Sequence, residues 1–323
     1  SNALIDPGLH VWHYEVPAYL FLGGLVAGIM VLAGLWMLRS PDDDRSRALG
    51  LLPWAAPVLL SVGMLFLWLD LENRLNVFRF YLTFEPTSPM SWGSWILLAI
   101  YPASILLALR TTPPELRACP LSKLARRFGA SAVGQRAETS FTRLVGWVDG
   151  HTRAIALANV VLGSALGIYT GILLGSLGGR PLWTSAILGP LFLVSGLSTG
   201  AAFMLLYRLA DGERRLLGRL DMGLIGGELI LLAIWLIGLT TGGAASREAA
   251  ALFLGGPYTA AFWTLVVAMG LVVPLAGEWL EARHRLLPGR LTAVLVLLGG
   301  FALRWVLVYA GQHSAWVEQV ALH

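Results

Sequence analysis

Eight stretches of mostly apolar residues divide the chain: Pro17 to Leu38, Leu51 to Leu71, Met90 to Leu109, Ala154 to Leu177, Trp183 to Tyr207, Met222 to Thr241, Pro257 to Leu280, and Leu291 to Ala310. About 20 helical residues rise about 30 Å, the thickness of a bilayer's hydrocarbon core, so each stretch predicts one transmembrane helix. Turn-forming clusters separate them, among them Arg39-Ser40-Pro41, Thr112-Pro113-Pro114, Gly178-Gly179-Arg180-Pro181 and Pro288-Gly289. The predicted fold is all-α, a polytopic membrane protein with both termini on one side. Ser1-Asn2-Ala3 reads as a tag scar. Residues 4–110 carry helices one to three, 111–153 a basic loop, 154–207 helices four and five, 208–311 the last three, and 312–323 a tail.

Composition agrees with that pattern. Of 323 residues 56% are hydrophobic and only 13% charged, mean hydropathy is +0.70, and there are 37 glycines. These values exclude an ordinary soluble enzyme, and the absence of low complexity or a sustained heptad excludes disorder and coiled coil. The single cysteine, Cys119, cannot by itself make an intrachain disulfide, a zinc site or a cysteine-ligated cluster.

Charge orients the helices. Loops on the arginine-rich side hold 18 Lys and Arg and those on the terminal side hold 4, with Arg304 inside the last helix. The positive-inside rule makes the rich side cytoplasmic and both termini periplasmic, in a bacterial inner membrane. The net charge of +4 and pI near 9.5 follow from this topology and give no ground for a nucleic-acid partner. The first helix is not read as a cleaved signal peptide, since no basic region precedes it. The long basic loop admits two readings, interfacial amphipathic helices beside anionic lipid or a solvated segment carrying topology charges.

Glycines recur every four residues at Gly163, Gly167, Gly171 and Gly175, with further pairs Gly24/Gly28, Gly196/Gly200 and Gly223/Gly227, a spacing that lets helix backbones approach closely. Tyr169 lies about 200° around the helix from Gly167, away from that seam.

An ionisable residue at membrane depth is expensive unless paired or wet, so the question is where several meet. At the terminal side, helix one begins with His13, Glu15 and Tyr19, helix two finishes with Asp70 and Glu72, and Tyr169 lies about two turns from the end of helix four. These are expected at one depth, rimmed by Asn73, Arg74, Asn76, Arg79, Tyr81 and Glu85. Taken singly, each also fits a cap, a headgroup contact or an aromatic belt. A second set, Asp221, Glu228, Glu278 and Arg304, makes either a buried charge network or a proton route. All six histidines fall in tails, loops or helix ends, so no mid-membrane pair is expected to ligate haem, and no metal site is read.

At this point the sequence resembles the NrfD/PsrC family, the quinone-interacting membrane subunits of polysulfide reductase and related complexes. The resemblance runs from Trp12 to about Val308. It is carried by Tyr19-Leu-Phe-Leu-Gly-Gly-Leu-Val-Ala-Gly28, by Ser88-Pro-Met-Ser-Trp-Gly-Ser-Trp95, by Ile168-Tyr-Thr-Gly171 with Arg180-Pro-Leu-Trp183, and by Leu191-Phe-Leu-Val-Ser-Gly-Leu-Ser-Thr-Gly-Ala-Ala202. It implies two four-helix bundles, helices one to four and five to eight, with a menaquinone or ubiquinone site near the periplasmic face of the first and no haem or metal in this protein. A periplasmic, ferredoxin-like iron–sulfur subunit would exchange electrons with the quinone and serve a molybdopterin or cytochrome subunit. Tyr169, Tyr19 and His13 become quinone contacts, and Glu15 and Asp70 the proton-exchanging carboxylates. The sequence departs from the family where relatives write Asp-Leu-Gly-Arg/Lys-Pro, reading Asp70-Leu-Glu-Asn-Arg-Leu.

Quinol oxidation releases protons as well as electrons, and a carboxylate beside a tyrosine hydroxyl supplies both an acceptor and a hydrogen bond. The expected function is therefore a membrane anchor and quinone/quinol electron-transfer subunit of a respiratory oxidoreductase, coupled or not to proton movement. The alternative is an ion or proton transporter without quinone chemistry, which intramembrane carboxylates also permit.

Overall fold

A computed structural model describes residues 12–40, 46–70, 89–117, 132–175, 180–284 and 289–314, and among these every regular element is a helix. The first span is Glu15–Arg39. The second runs Arg47–Leu51, a 3₁₀ turn Leu52–Trp54 and Ala55–Asp70, followed by Pro89–Thr111, Thr152–Gly175, Leu188–Leu205 and Asp211–Thr241 as spans three to six. Span seven is Thr259–Ala261, Phe262–Val272 and Val273–His284 in sequence, and span eight is Gly289–His313. All eight are long and apolar enough to cross a bilayer.

Two boundaries differ from expectation. Span five starts five residues late because residues 181–187 turn back on themselves, with Trp183 N–H donating to Arg180 C=O at 3.2 Å and Leu188 N–H to Ser185 C=O at 3.2 Å. Span six starts eleven residues early, at Asp211. Glu213 fixes that start by accepting from Ala210 N–H at 3.0 Å, while its other oxygen accepts from Ser46 N–H at 2.7 Å. One buried carboxylate thereby caps a helix and ties it to the loop before span two.

Spans one to four form one bundle and spans five to eight a second, meeting where spans one and five lie back to back. These two are the most enclosed, while the others keep an apolar face outward. Glycine makes the junction possible. A Cβ on Gly28 would collide with the Gly196 carbonyl, one on Gly200 would stand 2.7 Å from Gly28 Cα, and one on Gly196 would stand 2.7 Å from the Gly24 carbonyl oxygen. The two glycine pairs thus interdigitate backbone to backbone. Span four uses its own series likewise: a Cβ on Gly163 would lie 2.9 Å from Val31 of span one, and one on Gly167 would lie 2.7 Å from Leu193 of span five.

Residues Phe262–Val272 are wound as a π-helix, ending with Val273 N–H bonded to Ala268 C=O. The reason lies just beyond: Pro274 has no N–H to give and its ring crowds the preceding turn, so wider winding relieves the conflict. Within that segment Gly270 meets Gly299 of span eight backbone to backbone.

Both described ends meet on one face. Trp12 N–H donates to Gln312 Oε1 at 2.9 Å and Gln312 Nε2 returns a bond to Trp12 C=O at 3.0 Å. The Trp12 ring stacks on Trp183 at 5.1 Å, Trp183 Nε1 donates to Leu307 C=O at 2.9 Å, and Arg180 reaches Ser314 C=O at 2.8 Å. Gly311 leaves room for the Trp183 indole, which any side chain there would strike. Partial burial lowers the Arg180 pKa from its ordinary value.

On the opposite face Arg117 grips Asp149 at 2.9 Å and donates to the Arg110 carbonyl, while Arg110 donates to Thr152 at 2.7 Å. The described part of the long basic loop is a 3₁₀ turn, Pro114–Leu116, and an amphipathic helix, Ala132–Gly150. Phe141, Val145 and Val148 of that helix pack on the protein, while Leu144 and Trp147 remain exposed. Cys119 and Lys123 lie outside the described residues.

Candidate functional site

Two groups of polar side chains stand out against this apolar background. The first is at the terminal face of bundle one. Spans one and two cross where Gly63 faces Leu22, a Cβ there standing 3.4 Å from Leu22 Cβ. Seven residues further toward the terminal face bring Glu15 on one helix and Asp70 on the other to a common depth. Spans one and four cross where Gly23 meets Thr170 at 3.5 Å, so Tyr169 sits near the level of Gly23, about 6 Å deeper than Tyr19 and about 12 Å deeper than Glu15. The group is therefore a staggered ladder, not the single layer expected. Span one begins at Glu15, so its polar end stands well above the crossing with span four.

Glu15 is half-buried, and its Oε2 is enclosed without a hydrogen-bond partner among the described residues. Tyr19 is half-buried against the core and His13 exposed ahead of the helix. Tyr169 points away from the glycine seam, as its angular position predicts, and toward span three. Its ring and hydroxyl lie against Gly93, where any Cβ would strike them. The hydroxyl has no hydrogen-bond partner among the described residues. Beside it are buried Ser91 and Ser94, with Ser94 Oγ donating to Ser91 C=O at 2.8 Å. Sequence reasoning does not single out Gly93, Ser91 or Ser94, although they lie inside a stretch that carries the family resemblance. Asp70 closes the described part of span two, and its side chain, Glu72, and the rim from Asn73 to Glu85 lie outside the described residues.

The second group runs through bundle two. Span five presents Ser195 and Ser198, three residues apart and so on one face, to Glu228 and Asp221 of span six, seven apart and also on one face. Ser198 Oγ donates to Asp221 Oδ1 at 2.6 Å, and Ser195 lies within hydrogen-bonding reach of Glu228. Arg304 of span eight donates to Ser195 Oγ at 2.7 Å and Gly300 C=O at 2.8 Å, while Glu278 of span seven is in reach of Asp221. All four ionisable residues expected from sequence are buried and joined into one series: Arg304, Ser195, Glu228, then Asp221 with Ser198 and Glu278. The two serines that complete it carry no charge, and only their i, i+3 spacing in an apolar helix marks them.

Arg304 occupies the junction of the bundles. Its guanidinium lies 5.3 Å from the Phe192 ring and 6.0 Å from Phe21, and a Cβ on Gly24 would come within 2.7 Å of Nη2. Gly24 thus makes room for a cation as well as for span five. A buried guanidinium needs a counter-charge, and Glu228 is the carboxylate that interacts with it through space, bridged by Ser195. Among the described residues, no group of three His, Cys, Asp or Glu could hold a metal ion.

An eight-span helical protein with an unpartnered phenol and carboxylate at one membrane face, and a continuous series of ionisable groups beside them, is an integral membrane protein built for polar chemistry within the bilayer. The sequence matches the family described as polysulphide reductase, NrfD, over residues 5–315, and the protein belongs to that family. It is 31% identical to a polysulfide reductase membrane-family relative, the third polysulfide reductase polypeptide of Wolinella succinogenes, over 318 residues, covering 94% of both sequences. It is 29% identical to Protein NrfD of Escherichia coli, covering 94% of this sequence and 95% of that one, and 27% identical to a selenate reductase subunit of Mesobacillus selenatarsenatis, covering 92% and 73%.

Proposed function

We propose that this protein is the membrane subunit of a respiratory oxidoreductase complex and binds quinone or quinol at the terminal face of its first bundle. Membership in a family whose relatives are named as parts of polysulfide and selenate reductases supports the complex. The observation that carries the site is the pair of unsatisfied groups there: a Tyr169 hydroxyl without a partner among the described residues, and an enclosed Glu15 Oε2. A buried polar atom without a partner costs about 1–3 kcal/mol, and a ligand's oxygens would remove that cost.

Bound quinol supplies two electrons and two protons; the electrons pass to an iron–sulfur subunit docked on the terminal face. Tyr169 donates a hydrogen bond to one ligand oxygen and is held in place by Gly93, while Tyr19 flanks the ring's entry. Glu15, with Asp70 at its depth, accepts a proton and passes it to the aqueous face. The surrounding apolar spans exclude bulk water. Given the arginine tally, that face is periplasmic in a bacterial inner membrane. The series from Arg304 to Glu278 offers a route for protons toward the arginine-rich face.

The test is lipid extraction and mass spectrometry of the gently purified protein beside a Tyr169→Phe, Glu15→Gln double variant. Quinone retained by the parent and lost by the variant is the expected result. If neither holds quinone, even after quinone is added back, the proposal fails in favour of an anchor or transporter. For the proton route, unchanged stoichiometry after Glu228→Gln in the reconstituted complex would exclude it.

A further inference from the structure

The helix Ala132–Gly150 has a face that the redox reading leaves unused. Arg136, Ser140, Arg143, Leu144, Trp147 and His151 follow one another at short helical steps, so they form a single stripe, and all six are exposed. The opposite side, Phe141, Val145 and Val148, is packed on the protein. The stripe thus carries a bulky apolar pair, with Leu144 42% and Trp147 49% exposed, beside its arginines. Trp147 stacks on His151 at 4.5 Å, which holds the indole toward the end of the helix nearest the membrane.

Its position says what it meets. Span four begins at Thr152, five residues after Trp147, which is about 7.5 Å of helix; the headgroup layer on each side of the hydrocarbon core is about 5–7 Å deep. Trp147 therefore lies at the headgroup layer whatever the tilt of the helix. Tryptophan is the side chain most at home there, with an apolar body and a polar edge. The nearest acid, Asp149, is already neutralised by Arg117 at 2.9 Å and Arg110 at 3.5 Å, so the stripe's own charge is positive, and Arg153 stands exposed at the start of the span.

We propose that this stripe is a binding surface for anionic phospholipid, laid on the leaflet at the arginine-rich face. The arginines pair with phosphate oxygens and Leu144 and Trp147 enter between headgroups.

The single native cysteine makes the test clean. The full-length protein with Cys119→Ser and Leu144→Cys is spin-labelled at position 144 and placed in vesicles of phosphatidylcholine, with or without a third phosphatidylglycerol. Accessibility to oxygen and to a water-soluble nickel chelate is then compared. With phosphatidylglycerol the label at 144 is expected to be several-fold more accessible to oxygen than to the chelate, and a label introduced by Glu138→Cys the reverse. Arg136→Gln with Arg143→Gln should abolish the dependence on phosphatidylglycerol. Ready access of the chelate at 144 in both vesicles, or no effect of phosphatidylglycerol, would overturn the proposal. Shielding from both reagents would overturn it in favour of a protein partner. Should Leu144→Cys not fold, Ser140→Cys places a label on the same stripe.

Discussion

Replacing Arg304 by methionine keeps most of the side chain's volume and removes its charge. The guanidinium is fully buried, so the variant loses bonds to Ser195 Oγ and Gly300 C=O and leaves Glu228 in an apolar interior without its cation. Breaking a buried pair from one side costs about 3–5 kcal/mol, chiefly through the abandoned charge. For a protein of this size about 2 °C is lost per kcal/mol, which predicts a fall in melting temperature of about 6–10 °C. Intrinsic fluorescence of the detergent-solubilised protein reads the transition directly. Adding Glu228→Gln removes the abandoned charge, so the double variant should recover more than half of the loss. Arg304→Lys should fall between, since an ammonium keeps the charge but cannot span Ser195 and Gly300 together. A single variant as stable as the parent, or a double variant no better than the single, would refute charge pairing through Ser195.

Other consequences can be checked separately. Gly28→Leu drives a side chain into the span-five backbone and should abolish a monodisperse peak on size-exclusion chromatography, whereas Gly218→Leu, with open space around it, should not. Gly93→Ala forces the Tyr169 ring aside and should lower quinone retention as far as Tyr169→Phe does, with a melting temperature only a few degrees below the parent's. Ser198→Ala strands Asp221 Oδ1 and should cost about 1–3 kcal/mol, read as a lower unfolding midpoint. Gln312→Leu cuts both bonds to Trp12 and should speed amide exchange in the residues just after Trp12, leaving the rest of span one protected.

The spans are legible in the sequence because bilayer thickness imposes a length and an apolar composition that no soluble element needs. The series Asp221, Glu228, Glu278 and Arg304 is legible because a charge inside a span must find company. Ser195 and Ser198 are not, since a hydroxyl satisfies itself on its own helix and gives no sign that it serves another. Gly93 is hidden for a different reason: its role is the space it leaves for a ring 76 positions later. The π-winding of span seven escapes because Pro274 announces only a local conflict, and the conflict can equally end in a kink. The depth of Tyr169 relative to Glu15 depends on where helices cross, which periodicity does not encode.

The seam of Gly24, Gly28, Gly196 and Gly200 limits how the two halves of the molecule can communicate. Backbones already in contact have no slack for one bundle to slide or rock against the other without collision. An event at the terminal face must therefore reach the acidic series of the second bundle as a change of field or a relayed proton. In that respect the protein resembles a solid-state device, in which charge moves through a lattice that stays where it is.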